Sequence, residues 1–138
     1  MKEMKDKQVL IVGMARSGVA AARMLSRLGA KLTLTDTRNS EQMASAIEQL
    51  RDIDANWQLG VEPDALIEGK DYIILSPSVY YWAPWVEKAK QNGTEVVSEL
   101  QLGAWFTQGD FVAVTGTNGK TTTTTLIGEI FKANGNRT

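Results

Sequence analysis

The chain has no cysteine and no histidine among its 138 residues. The first absence excludes disulfides and thiol chemistry and fits a reducing compartment. The second leaves no imidazole to act as general base or metal ligand. An excess of one charge is also lacking, since fifteen Lys and Arg face sixteen Asp and Glu for a net charge of −1. That balance gives no electrostatic grip on nucleic acid or an anionic membrane. No apolar run is long enough to cross a bilayer, and the charged start, Met1 to Gln8, is not a secretory leader. Cytoplasm is the expected location. What is present is 43% hydrophobic and 22% charged residues, the profile of a globular chain with one real core.

Strand-like and helix-like segments alternate. Val9–Val12 is a short apolar run closed by Gly13, as expected of a strand buried on both faces. From Arg16 to Leu28 the apolar residues Val19, Ala20, Met24, Leu25 and Leu28 recur at helical spacing, and Gly29 supplies the stop. Lys31–Thr35 reads as a second strand. Ser40 is the expected N-cap of a helix running to about Leu50. A weaker strand is expected at Asn56–Leu59 and a strong one at Tyr72–Leu75. Pro84 opens a helix that Gly93 ends, Glu95–Val97 is a fifth strand, and Glu99–Phe106 a short helix. Phe111–Thr115 reads as a further strand, followed by a glycine turn and a helix from Lys120 to Ala133. Repeated strand–helix–strand units predict an α/β, Rossmann-like parallel sheet with flanking helices. The expected division is a nucleotide-binding domain over 1–98 and the start of a second domain, with its own strand, phosphate loop and helix, over 99–138.

Two glycine turns carry the chemistry. In Gly13-Met14-Ala15-Arg16-Ser17-Gly18 the turn leads into a helix whose free N–H groups suit an anion. The dinucleotide fingerprint wants glycine at the third place, where Ala15 stands, so the match is partial. Asp36 ends the second strand, where such folds place an acid for a ribose hydroxyl. The bland alternatives are a tight turn without ligand and a strand-end acid that caps its own loop. The second turn, Thr115-Gly116-Thr117-Asn118-Gly119-Lys120-Thr121-Thr122, has the layout of a phosphate cradle. Backbone N–H groups would wrap the phosphates, Lys120 would neutralise them, and the Thr121 hydroxyl could ligate magnesium. Only Thr117 and Asn118 separate Gly116 from Gly119, shorter than the standard loop.

That short loop resembles the ATP loop of the Mur ligases, and Asn118 is similar to the D-glutamate-adding branch. Gly13, Ser17, Gly18 and Ala20, followed by Thr35-Asp36-Thr37-Arg38, resemble the same family's first domain. The resemblance implies that Ala15, Arg16, Ser17 and Gly18 lie along a diphosphate. It implies that Asp36, Thr37 and Arg38 frame a uracil and ribose, and that Ser76-Pro77-Ser78 closes the other side. Ser78 stands where the family has glycine, a departure at the point of closest approach to the base. Gly116 to Thr122 would be the ATP loop, with Thr121 as a magnesium ligand. The implied partner is UDP-N-acetylmuramoyl-L-alanine or UDP. The implied reaction, with ATP and magnesium, is phosphorylation of the substrate carboxylate and displacement of phosphate by the amine of D-glutamate. The family's remaining catalytic parts lie beyond Thr138, so the resemblance implies a truncated chain that binds without ligating.

Other readings stay open: an NAD-binding Rossmann domain with Asp36 on the adenosine ribose, and a scaffold, engineered or unusual, that binds protein. The second rests on Tyr80-Tyr81-Trp82-Ala83-Pro84-Trp85, two tyrosines and two tryptophans in six positions. Such rings supply large rigid contact area at interfaces. The bland counterpart is one tryptophan plugging the core, with its neighbours partly exposed.

Overall fold

The computed structural model describes residues 2–138, which divide into two compact units, one ending at Thr107 and one spanning Gln108–Thr138. In the first unit, five strands form one parallel sheet. They are β1 (Gln8–Val12), β2 (Lys31–Asp36), β3 (Ala55–Leu59), β4 (Tyr72–Leu75) and β5 (Glu95–Ser98), in the order β3-β2-β1-β4-β5. Helices α1 (Arg16–Arg27), α2 (Ala44–Gln49), α3 (Pro84–Gln91) and α4 (Glu99–Phe106) connect or follow them. The expected Rossmann-like α/β sheet is therefore the observed one. The order reverses at β1, where chain leaves toward β2 on one side and β4 lies on the other. In open α/β sheets, that switch point opens a crevice at the carboxyl ends of the strands.

The apolar runs are unbroken because the strands are buried on both faces. Val9 and Ile11 point into one core with Ala22 and Leu25 of α1, Leu34, Ile74 and Leu102 of α4. Leu10 and Val12 point into the opposite core with Ile73, Leu75, Val86 and Ala89 of α3, and Val96. Each fully buried aliphatic side chain contributes roughly 1.5–3 kcal/mol over leaving it in water. Ser98 caps α4, its hydroxyl accepting from the Gln101 N–H at 3.2 Å, and α4 packs on α1, β4 and β5.

Two expectations are corrected. The second helix starts at Ala44 rather than after Ser40. Asn39 and Gln42 exchange backbone-to-side-chain hydrogen bonds, at 3.1 and 3.0 Å, and so hold residues 40–43 in a turn first. The reciprocal pair belongs to that turn, and the N-cap of α2 itself, Met43, makes no side-chain cap bond. Phe111–Thr115 has no regular secondary structure and is not a strand. A strand exists only through its ladder, and the described residues offer this segment no partner. A 3-10 turn at Pro63–Leu66, not expected, follows β3.

The second unit holds that irregular segment, the glycine turn and α5 (Lys120–Ala133). No residue of α5 is buried, and Leu126, Ile130 and Phe131 are exposed.

Candidate nucleotide site

The first glycine turn is shaped by two close approaches. Gly13 takes φ 94°, and a Cβ there would fall 2.6 Å from Ser76 Cβ at the end of β4. A Cβ on Gly18 would fall 2.1 Å from the Gly13 carbonyl oxygen, so the first turn of α1 rests directly on the loop. Gly18 is thus buried as a packing contact beneath the turn rather than at its surface. The N-cap Ala15 has no side chain to cap the helix. The N–H groups of the first turn of α1 are left to an outside acceptor, at the positive end of the helix dipole.

Asp36 is held more tightly than its position suggests. One carboxylate oxygen accepts from the Met14 N–H at 2.8 Å and from Arg38 Nη2 at 2.8 Å. The other accepts from the Arg38 N–H at 3.0 Å and from Arg38 Nε at 2.9 Å. These bonds, the Arg38 guanidinium foremost, lower its pKa to about 2 against the opposing cost of burial. All four acceptor positions of the carboxylate are filled by its own chain. Asp36 ties the glycine turn to Arg38 and fixes where that guanidinium points.

A cleft of about 580 Å³ opens beside this arrangement. Its lining includes Thr37, Arg38 and Glu62, with Ser78 and Tyr80 from the loop after β4 and Trp85 from the first turn of α3. Arg38 also lines a smaller recess of about 150 Å³ with Ala15 and Arg16. The structure therefore brings Asp36, Thr37, Arg38, Ser78, Tyr80 and Trp85 to one cleft and Ala15 and Arg16 to its neighbour, with Arg38 shared. Ser17 lines neither and stands beside Glu99 of α4.

The aromatic segment divides. Trp85 packs on the core that holds Val86, whereas Tyr80 and Trp82 are 76% and 84% exposed and Tyr81 is partly so. Sequence reasoning passed over Glu62 and Pro63, which line the cleft at the start of the 3-10 turn; the Glu-Pro pair after Gly60 was the available signal. It also passed over Glu99, for which no local signal exists.

In the second unit, Gly116 and Gly119 take φ 149° and 76°, and Lys120 Nζ donates to the Gly116 carbonyl at 2.5 Å. Thr117, Asn118, Thr121 and Thr122 are exposed, and the first turn of α5 has no side-chain cap. The described residues contain no cluster of acidic side chains that could cage a metal. What the turn offers a metal is threonine hydroxyl, Thr121 among them, a donor set that fits a magnesium carried mainly by phosphates and water.

Residues 7–98 match the family model of the Mur ligase MurD-like N-terminal domain. The chain belongs to that family. Over 133 residues this MurD-like chain is 46% identical to a UDP-N-acetylmuramoylalanine–D-glutamate ligase of Geobacter sp. strain M21, and covers 96% of itself and 29% of that relative. It therefore spans under a third of the length of the relatives it matches. Among solved structures, a pseudomurein peptide ligase type C from Methanothermus fervidus superposes with a TM-score of 0.54 at 25% identity, over 93% of this chain and 26% of that one. A murein peptide ligase from Psychrobacter arcticus superposes at 0.58 and 24% identity, over 94% and 27%, and supports the fold of the MurD-like domain alone.

Proposed function

We propose that this MurD-like domain holds the uridine diphosphate end of UDP-N-acetylmuramoyl-L-alanine for a ligase that adds D-glutamate in peptidoglycan precursor synthesis. The observation that carries this reading is the guanidinium of Arg38, which lines both the cleft and the recess at the amino terminus of α1. The uracil and ribose occupy the cleft between Thr37, Arg38 and Ser78, with Tyr80 and Trp85 as an apolar wall. The diphosphate lies at the unsatisfied N–H groups of Ala15, Arg16 and Ser17, and Gly18 keeps the helix close enough to present them. Arg38, aimed by Asp36, stacks on the base or pairs with phosphate.

Within residues 99–138, the second unit Gln108–Thr138 is read as the start of the ATP-binding domain, while α4 packs on the first unit. Gly116, Thr117, Asn118 and Gly119 wrap the phosphates, Lys120 neutralises their oxygens, and Thr121 and Thr122 open the helix. Magnesium, held by Thr121 and the nucleotide, would supply charge stabilisation for transfer of the terminal phosphoryl group. The 138 residues alone bind and do not ligate.

The test is thermal unfolding with UDP, NAD or ATP, since a ligand that binds only the folded state raises Tm. UDP is expected to stabilise the chain and NAD to leave it unchanged. Arg38→Ala is expected to weaken UDP binding by roughly ten- to a hundred-fold, the loss of a charge-assisted contact. A shift with NAD and none with UDP would overturn the reading, and D-glutamate-dependent ADP release would refute the inactivity.

A second reading follows from the exposure of Tyr80 and Trp82 beside a packed Trp85. We propose that Tyr80, Tyr81 and Trp82, with Trp85 as their buried anchor, meet a protein surface, a second copy of this chain included. Light scattering at high concentration is expected to show association that Trp82→Ser removes without lowering Tm. A monomeric parent that binds no partner and a destabilised variant would end this idea.

A further inference from the structure

Both carboxyl oxygens of Glu99 are buried, and neither has a hydrogen-bond partner among the described residues. Glu99 is the first residue of α4, which packs on α1. Ser17, the second residue of α1, is the one side chain whose hydroxyl reaches toward that carboxyl. Burial pushes the Glu99 pKa up, Ser17 opposes it, and no charged group from α1, α4 or the strands beneath them takes part. An ionised carboxylate with no partner is costly in such a place, so Glu99 takes up a proton more readily than an exposed carboxylate does.

The arrangement matters because of how many protons a serine has. Its hydroxyl carries one proton and two acceptor positions. An ionised Glu99 can only accept, so it takes the Ser17 proton and leaves Ser17 facing outward with lone pairs. A neutral Glu99 donates to Ser17 Oγ, and the Ser17 proton is then free for an oxygen outside. What lies outside is the amino terminus of α1, whose first N–H groups have no acceptor. An anion there is welcomed by Ser17 in the second case and repelled in the first.

We propose that Glu99 is a positioning residue for the diphosphate: in its neutral form it turns the Ser17 hydroxyl toward the anion. Seating of a UDP-sugar is thereby coupled to uptake of one proton from solvent onto the Glu99 carboxylate. The inference rests on the diphosphate site proposed above. It is a role for a residue that contacts the ligand only through another.

The test is calorimetric titration of the 138-residue chain with UDP-N-acetylmuramoyl-L-alanine from pH 5 to pH 8.5. The diphosphate diester and the free carboxylate of that ligand stay ionised throughout. On the protein side there is no histidine, and Asp36 titrates near 2, so neither masks Glu99. Affinity is expected to fall with rising pH, approaching about tenfold per pH unit above the Glu99 midpoint. The binding heat should also vary with the ionisation enthalpy of the buffer, as proton uptake requires. Glu99→Gln, whose amide is a permanent donor to Ser17, should keep the acid-side affinity at every pH and take up no proton. Ser17→Ala removes the relay without touching Glu99, so it should bind weakly with a flat profile even if the first variant folds poorly. A flat wild-type profile, or an unchanged slope in Glu99→Gln, overturns the inference and leaves the UDP site standing. If the wild type fails to bind at any pH, the UDP-site reading itself falls and takes the inference with it.

Discussion

Both glycine turns lead into a helix, yet one is set in a core and the other is not. The Gly13–Gly18 turn follows a strand whose Val9, Leu10 and Ile11 are fully buried, and α1 adds Ala22 and Leu25 to the same interior. The Gly116–Gly119 turn follows an unpaired segment and opens a helix with no buried residue. Phosphate-binding chemistry can be written locally, in a few glycines, a lysine and a helix start. Fixing those groups against one another needs side chains packed from distant parts of the chain. A helix of fourteen residues with none of them buried draws little support from packing, and such a helix is marginal in water.

The sharpest way to break this comparison is the same substitution in both units. Gly18→Ala places a methyl 2.1 Å from the Gly13 carbonyl, and the expected cost is about 3 kcal/mol or more, read by urea unfolding. Gly128→Ala in α5 meets nothing within 4 Å, and should instead raise helix content by up to about 1 kcal/mol. If both changes had the same sign, the contrast between a packed and an unpacked helix would be wrong.

A smaller effect, on charge, sharpens the same contrast. The folded pKa of Asp36 lies below its ordinary 3.8, near 2, so its contribution is present above about pH 4 and lost as pH falls toward 2. Asp36→Asn is expected to cost about 1–2 kcal/mol at pH 7, discounted because Arg38 stays half in water, and almost nothing at pH 2. Unfolding curves at the two pH values check it. The exposed Glu129–Lys132 pair of α5 should give no measurable change when Glu129→Gln is made.

The sheet was legible because two-sided burial writes itself as continuous apolar runs, and Val9–Val12 and Tyr72–Leu75 fall where the strands are. The start of α2 was placed too early at Ser40, because the reciprocal bonds between Asn39 and Gln42 fold that stretch into a turn and the helix begins only at Ala44. Phe111–Thr115 has strand composition, but pairing belongs to a partner that local composition does not name. At the site, Asp36 and Arg38 were legible as neighbours, whereas the saturation of the Asp36 carboxylate depends on the Met14 N–H folding back across the turn. Glu99 was invisible because its isolation is a property of the space between α1 and α4, which no sequence window contains.

Trp85 stands in the wall of the cleft and is half-buried, while Trp82, three positions earlier, is 84% exposed and outside it. An indole shielded from water emits at shorter wavelength than a hydrated one. A base seated in the cleft as proposed would strip water from Trp85 and leave Trp82 in solvent. With Trp57 and Trp105 replaced, Trp85 would then gauge occupancy of the cleft optically, with Trp82 beside it as an internal reference and no dye attached.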